Sequence, residues 1–228
     1  MAWWRAWFRI GPEAANVPNT NTVTALARQP DHIDLFVVGN NGGIYSTWWP
    51  STEPAYRLDV NVILVGSDNF TAAHRVQTDD SIAIARSIFA KVGLDLSVVG
   101  RFRIPDAGGY ETIDSASEAA DLTSDWTVPN DALDLFVVRV MTDADGRSPV
   151  NGPCDKDEKG STGSVVSLNG STSNSGNTFA HEIGHYLGLN HVPDSGNFIG
   201  GNGASNSSTG IFDWQGNVME GHCFIKWL

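Results

Sequence analysis

Residues 181–191 read HEIGHYLGLNH, and no other run constrains the fold of this 228-residue chain so tightly. His181 and His185 are four positions apart, so on a helix they project from one face a turn from each other and can meet at one ion. His191 is too far along a straight helix to join them. The chain has to leave the helix before it, and Gly188 is the residue that tolerates the positive φ of such an exit. A helix over 178–187 is therefore expected, with Asn177 or Thr178 as its cap. Three neutral imidazole nitrogens, with a fourth position left to water, make the ligand set of a catalytic zinc rather than a structural one. Glu182 then stands where a carboxylate can take a proton from that water.

The pattern HExxHxxGxxH resembles the zinc signature of the metzincin metallopeptidases. The resemblance implies an α+β fold, with a mixed twisted sheet, a backing helix and an active-site helix. It also implies zinc endopeptidase activity on protein or peptide substrates, with His181, His185 and His191 as ligands and Glu182 as general base. The family's second hallmark, a methionine turn beneath the metal, matches Asn217-Val218-Met219-Glu220. There Met219 is a hydrophobic floor and not a ligand. Two features depart from the family. Gly221 occupies the position where some subfamilies place a tyrosine ligand, so no ligand is expected from it. The sequence given runs only nine residues past Met219, so the domain over 57–228 is expected to lack most of the C-terminal helix.

Composition narrows the partners. Hydrophobic residues at 41% and charged residues at 18% fit a soluble globular protein. Residues 1–56 carry three Arg and four acidic groups, so −11 of the total charge of −12 lies in 57–228. An acidic body without a basic cluster argues against nucleic acid or an anionic membrane as partner, and no apolar run is long enough to span a bilayer. The opening MAWWRAWFRIG lacks the apolar core and cleavage site of a signal peptide. Cys154 and Cys223 are either one disulfide or two free thiols. The bridge would tie two segments near the site together and favour an oxidising, secreted setting.

Five of the eight tryptophans fall in the first 56 residues: Trp3, Trp4, Trp7, Trp48 and Trp49. Strands are expected at Thr22–Arg28, Leu35–Val38 and Ile44–Trp49, the last two joined by a turn at Asn41-Gly42-Gly43. WWRAWFRIG and GNNGGIYSTWW resemble one repeat of bacterial fucose-binding-type β-propeller lectins, which implies a glycan as partner. A single blade cannot bury both faces, so 1–56 reads as one isolated repeat, docked or loosely ordered. A β-hairpin belonging to the peptidase domain is the alternative.

From Tyr56 the chain alternates strand and helix. Leu58–Val65, Leu96–Ile104 and Leu133–Val140 read as strands, the last apolar enough to be central. Thr78 or Asp79 can cap a helix reaching about residue 93, with Ile82, Ala85, Ile88, Phe89 and Val92 on one face. Ser161–Leu168 reads as an edge strand. In the family it resembles, such a strand lines the cleft and pairs with substrate backbone. Residues 194–210 read as a long loop near the cleft.

Other motifs carry less. Asp143-Ala-Asp145-Gly146 and Asp155–Gly160 start like Ca2+ loops, but Lys159 and Val166 sit where the second would need oxygen ligands, so solvated acidic turns are the better reading. His222 is expected at the surface or behind the ligands, and His32 and His74 receive no role. There is no G-x-S-x-G and no P-loop. Two other functions stay open: a carbohydrate-binding protein with an idle peptidase-like domain, and a zinc hydrolase of non-peptide substrates.

Overall fold

Four β-prone runs at the start of the chain pair into one antiparallel sheet. They are β1 (Phe8–Ile10), β2 (Val23–Gln29), β3 (His32–Val38) and β4 (Ile44–Trp49), in the order β1-β4-β3-β2. The computed structural model describes residues 8–10, 23–29, 32–38, 44–49, 54–106, 108–157, 160–201 and 208–228. The expected turn at Asn41-Gly42-Gly43 and the tryptophans Trp3, Trp4 and Trp7 lie outside the described residues. The chain divides into two compact units, Met1–Glu53 and Pro54–Leu228.

The larger unit is a mixed sheet with helices on both faces. Its elements are β5 (Tyr56–Val65), α1 (Ala72–Phe89), β6 (Leu94–Ile104), β7 (Thr112–Ile113), α2 (Ala116–Asp125), β8 (Leu133–Val138), β9 (Val140–Met141), β10 (Gly146–Arg147), β11 (Gly163–Ser167), α3 (Thr172–Tyr186), α4 (Asp213–Glu220) and β12 (Ile225–Trp227). β11, β8, β5 and β6 run parallel, β10 is antiparallel outside β11, and β12 lies antiparallel beside the first residues of β5.

Strand alternation sorts the core into two layers. Leu58, Val60 and Val62 of β5 and Leu133, Leu135 and Val137 of β8 face the layer that includes Ile82 and Phe89 of α1 and Phe179 and Ile183 of α3. Ile63, Val65, Phe136, Val138 and Val165 face the layer that includes Leu122 of α2. Every residue of β8 is buried, which explains its nearly unbroken apolar run. The exception is Asp134, wholly buried at the end of the strand. It accepts from Lys156 Nζ at 2.9 Å, Asn61 Nδ2 at 2.7 Å and the Val128 amide at 3.0 Å.

Local sequence misjudged three boundaries. α1 begins at Ala72 because Thr71 and His74 cap each other's backbone amides, at 3.3 and 3.2 Å. Thr78 is inside the helix and turns its hydroxyl back to the His74 carbonyl. α3 starts at Thr172, capped by Ser171 rather than by Asn177 or Thr178. Its polar first turns are held by packing: a Cβ on Gly176 would stand 2.6 Å from Ile84 Cβ, so the helices α1 and α3 cross in near contact there. β11 is not the edge, because β10 covers its outer side. Neither α2 nor the strand β12 was expected. After Met219 the chain turns and joins the sheet instead of starting another helix.

Candidate metal centre

α3 carries His181 and His185 on one face, as their spacing requires. Gly188 has φ 102°, and it ends the helix in a Schellman motif: Leu189 N donates to Gly184 O and Gly188 N to His185 O, both at 2.9 Å. The exit returns His191 toward the helix. The three Nε2 atoms stand 3.0, 3.0 and 3.1 Å from one another.

The backbone orients two of the rings. Nδ1 of His181 faces the Phe198 carbonyl at 3.0 Å, and Nδ1 of His185 faces the Leu189 carbonyl at 2.7 Å. A carbonyl only accepts, so each Nδ1 carries the hydrogen and each Nε2 is left with its lone pair. Burial lowers the proton affinity of both rings, that of His185 to a pKa of about 4. The Nε2 lone pairs of His181 and His185 thus converge without a proton between them.

Glu182, next to His181 in α3, is buried, and burial pushes its pKa up to about 8 while the charge of Arg147 pulls it the other way. The strand β10 lies against it: a Cβ on Gly146 would come within 2.5 Å of Glu182 Cγ. A side chain at 146 would have to push the Glu182 side chain aside.

The loop expected at 194–210 does more than border the site. Val192 N donates to Ile199 O, and Gly201 N to Val192 O, which folds 192–201 back beneath the rings. Asn197 and Gln215 exchange amide hydrogen bonds at 2.8 and 3.1 Å, pinning this loop to α4. Phe198, whose carbonyl holds His181, is the next residue. Nothing in the local sequence marks Asn197 or Gln215, since amides in a Gly/Asn/Ser-rich stretch look like ordinary loop residues.

The remaining candidates fall around the site. Met219 is fully buried in the last turn of α4, within the core that includes Leu187 and Leu189. Cys154 and Cys223 form a disulfide. Their sulfurs are joined to each other, so the cluster they make with His222 is not a second thiolate site. His222 is not at the surface. It is buried against Tyr186 and Phe224, with Nε2 3.1 Å from the Gly152 carbonyl. The loop tied down by the disulfide caps α3, through Asn151 N to His185 O and Gly152 N to Tyr186 O, at 2.9 and 2.8 Å. Asp143 pairs with Arg147 at 2.6 Å, and the Asp155 side chain accepts from Asp157 N, so both acidic segments have local partners and nothing supports calcium there. Glu158 and Lys159 lie outside the described residues. Among those described, no helix is long and apolar enough to cross a membrane.

The chain resembles solved structures at low identity. Metalloproteinase-II from Bacteroides fragilis matches 84% of this chain and 72% of its own, with 12% identity and a TM-score of 0.50. Archaemetzincin from Methanopyrus kandleri matches 72% of this chain and 94% of its own, with 13% identity and a TM-score of 0.53. These likenesses concern the fold. No curated protein sequence matches the chain. The sequence profile of metallo-peptidase family M12 matches residues 59–219, from β5 through the histidine cluster to Met219, and so leaves the N-terminal sheet outside it. The chain belongs to metallo-peptidase family M12.

Proposed function

We propose that this chain is a zinc endopeptidase of the metzincin type, with His181, His185 and His191 as the ligands and Glu182 as the proton carrier. The observation that carries the reading is the triangle of Nε2 atoms, 3.0 to 3.1 Å on a side. An ion about 2.0–2.1 Å from each of three tetrahedral ligands spaces them roughly 3.3 Å apart, so a small inward or outward shift fits them to zinc.

Zinc held there supplies Lewis-acid polarisation of a carbonyl and makes water acidic enough to attack it near neutral pH. The protein does the rest. The Phe198 and Leu189 carbonyls keep two of the rings in the ligating tautomer. One carboxylate oxygen of Glu182 accepts the proton of the attacking water and returns it to the departing amine nitrogen. Burial favours the protonated form that exists between these two events. β10 has no partner on its outer side among the described strands, which supports an extended peptide adding to that edge. Met219 is the apolar floor in this reading. The disulfide supports an oxidising, extracellular setting.

Metal content and cleavage of a quenched peptide library, measured on the wild type, Glu182→Ala and His185→Ala, test the proposal. The wild type should bind one zinc and cleave. Glu182→Ala should keep the zinc and lose about 10²–10⁴-fold in rate, and His185→Ala should lose both. Hydrolysis retained in Glu182→Ala removes the proposed base. Zinc bound by a wild type that binds sugar and cuts no peptide would favour a carbohydrate-binding role instead.

A further inference from the structure

Behind β10, on the sheet face away from α3, lies a cavity of about 200 Å³. Arg147, Ser148, Thr123, Ser161, Ala116 and Ala119 are among its walls. It is smaller than the roughly 300 Å³ or more of a typical small-molecule site, and large enough for one side chain. Arg147 supplies its positive charge. Asp143 engages the guanidinium through Nη2 alone, at 2.6 Å, and Nε is buried with no hydrogen-bond partner among the described residues.

Strand geometry connects this cavity to the site. Gly146 pairs with Val166 and Arg147 with Val165. Val166 belongs to the layer shared with α3, Val165 to the layer shared with α2. Successive residues of β10 therefore face opposite sides, Gly146 toward Glu182 and Arg147 toward the cavity. A peptide laid along the free edge alternates in the same way. When one of its residues lies over the metal side, the neighbouring side chain points to the Arg147 side.

We propose that this cavity is a specificity site, in which Arg147 receives the carboxylate of an acidic substrate side chain close to the bond that is cut. The inference rests on the peptidase reading for its place in catalysis, but the carboxylate site can be tested by binding alone. A carboxylate is the complement of a part-exposed guanidinium whose one ion-pair contact among the described residues is through Nη2, and the Ser161 hydroxyl in the wall suits its oxygens. The exposed Asp143–Arg147 pair contributes little to stability, so Asp143 serves better as a holder of the guanidinium than as a partner that saturates it.

The test uses a set of octapeptides in which a single Glu is moved through a neutral sequence, each with a Gln counterpart. Binding to the zinc-loaded Glu182→Gln protein is read by fluorescence anisotropy, and kcat/KM is read on the zinc-loaded active enzyme. At one register, Glu should be preferred over Gln by about tenfold or more. Arg147→Gln should reduce that ratio to near one, and Arg147→Lys should leave part of it. A ratio near one at every register, or a ratio that Arg147→Gln leaves untouched, overturns the inference. An intact Glu preference in binding with no cleavage of any peptide would support the carboxylate site and instead sink the peptidase reading.

Discussion

Asn197 and Gln215, both buried, exchange two amide hydrogen bonds and thereby tie the loop behind His181 to the helix that ends in Met219. Gln215 also accepts from the Phe212 amide at 2.8 Å, so its carbonyl oxygen serves two donors. The pair sits one residue from Phe198, whose carbonyl sets the tautomer of His181.

Breaking that pair should loosen the metal without touching a ligand. Asn197→Ala or Gln215→Ala is expected to weaken zinc binding about 10–100-fold, the usual cost of losing support behind a ligand. Competition with a chromophoric chelator measures it. An affinity equal to the wild type would show that Phe198 holds His181 unaided.

The crossing of α1 and α3 at Gly176 sets two effects against each other. Alanine is the better helix former by about 1 kcal/mol, but its Cβ would stand 2.6 Å from Ile84 Cβ. Overpacking of this kind costs about 1–3 kcal/mol, so Gly176→Ala should destabilise on balance. Ile84→Ala in the same chain should recover part of the loss. Urea denaturation of the single and double variants decides, and a more stable Gly176→Ala would mean the helices part freely.

The disulfide closes a segment of 69 residues. Chain entropy alone predicts a contribution of about 4 kcal/mol for a loop of that size. Cys154→Ser with Cys223→Ser should therefore lower the melting temperature markedly. Because the tied loop caps the helix of His185 through Asn151 and Gly152, zinc affinity should fall as well. A large drop in melting temperature with unchanged zinc affinity would show that the cap holds without the bridge.

Lys156 and Asp134 form an ion pair in which both side chains are nearly or wholly out of solvent. Burial lowers the Lys156 pKa, and the Asp134 charge opposes that shift. Removing one partner leaves a charge buried alone, at a cost of about 3–5 kcal/mol. Asp134→Ala should thus destabilise strongly. Replacing both residues with apolar ones of similar size should cost much less. Equal losses in the single and double variants would contradict this account.

Much of the centre was legible in the sequence because its determinants are local. A four-residue spacing places His181 and His185 on one face by helix geometry alone. Gly188 marks the exit because only a residue that tolerates positive φ ends the helix easily there. The apolar run at 133–140 announced a central strand through its composition, and the strand 133–138 lies between β11 and β5. Tertiary structure decided the rest. The start of α3 depends on Gly176 meeting Ile84, a residue 92 positions earlier in the chain. The edge of the sheet passed from β11 to the two residues of β10, which are too short to stand out by pattern. The grip on His181 comes from Phe198, Asn197 and Gln215, whose partners lie 17 and 18 residues away. Periodicity and turn propensity report neighbours along the chain, whereas these contacts exist only once distant segments have folded against each other.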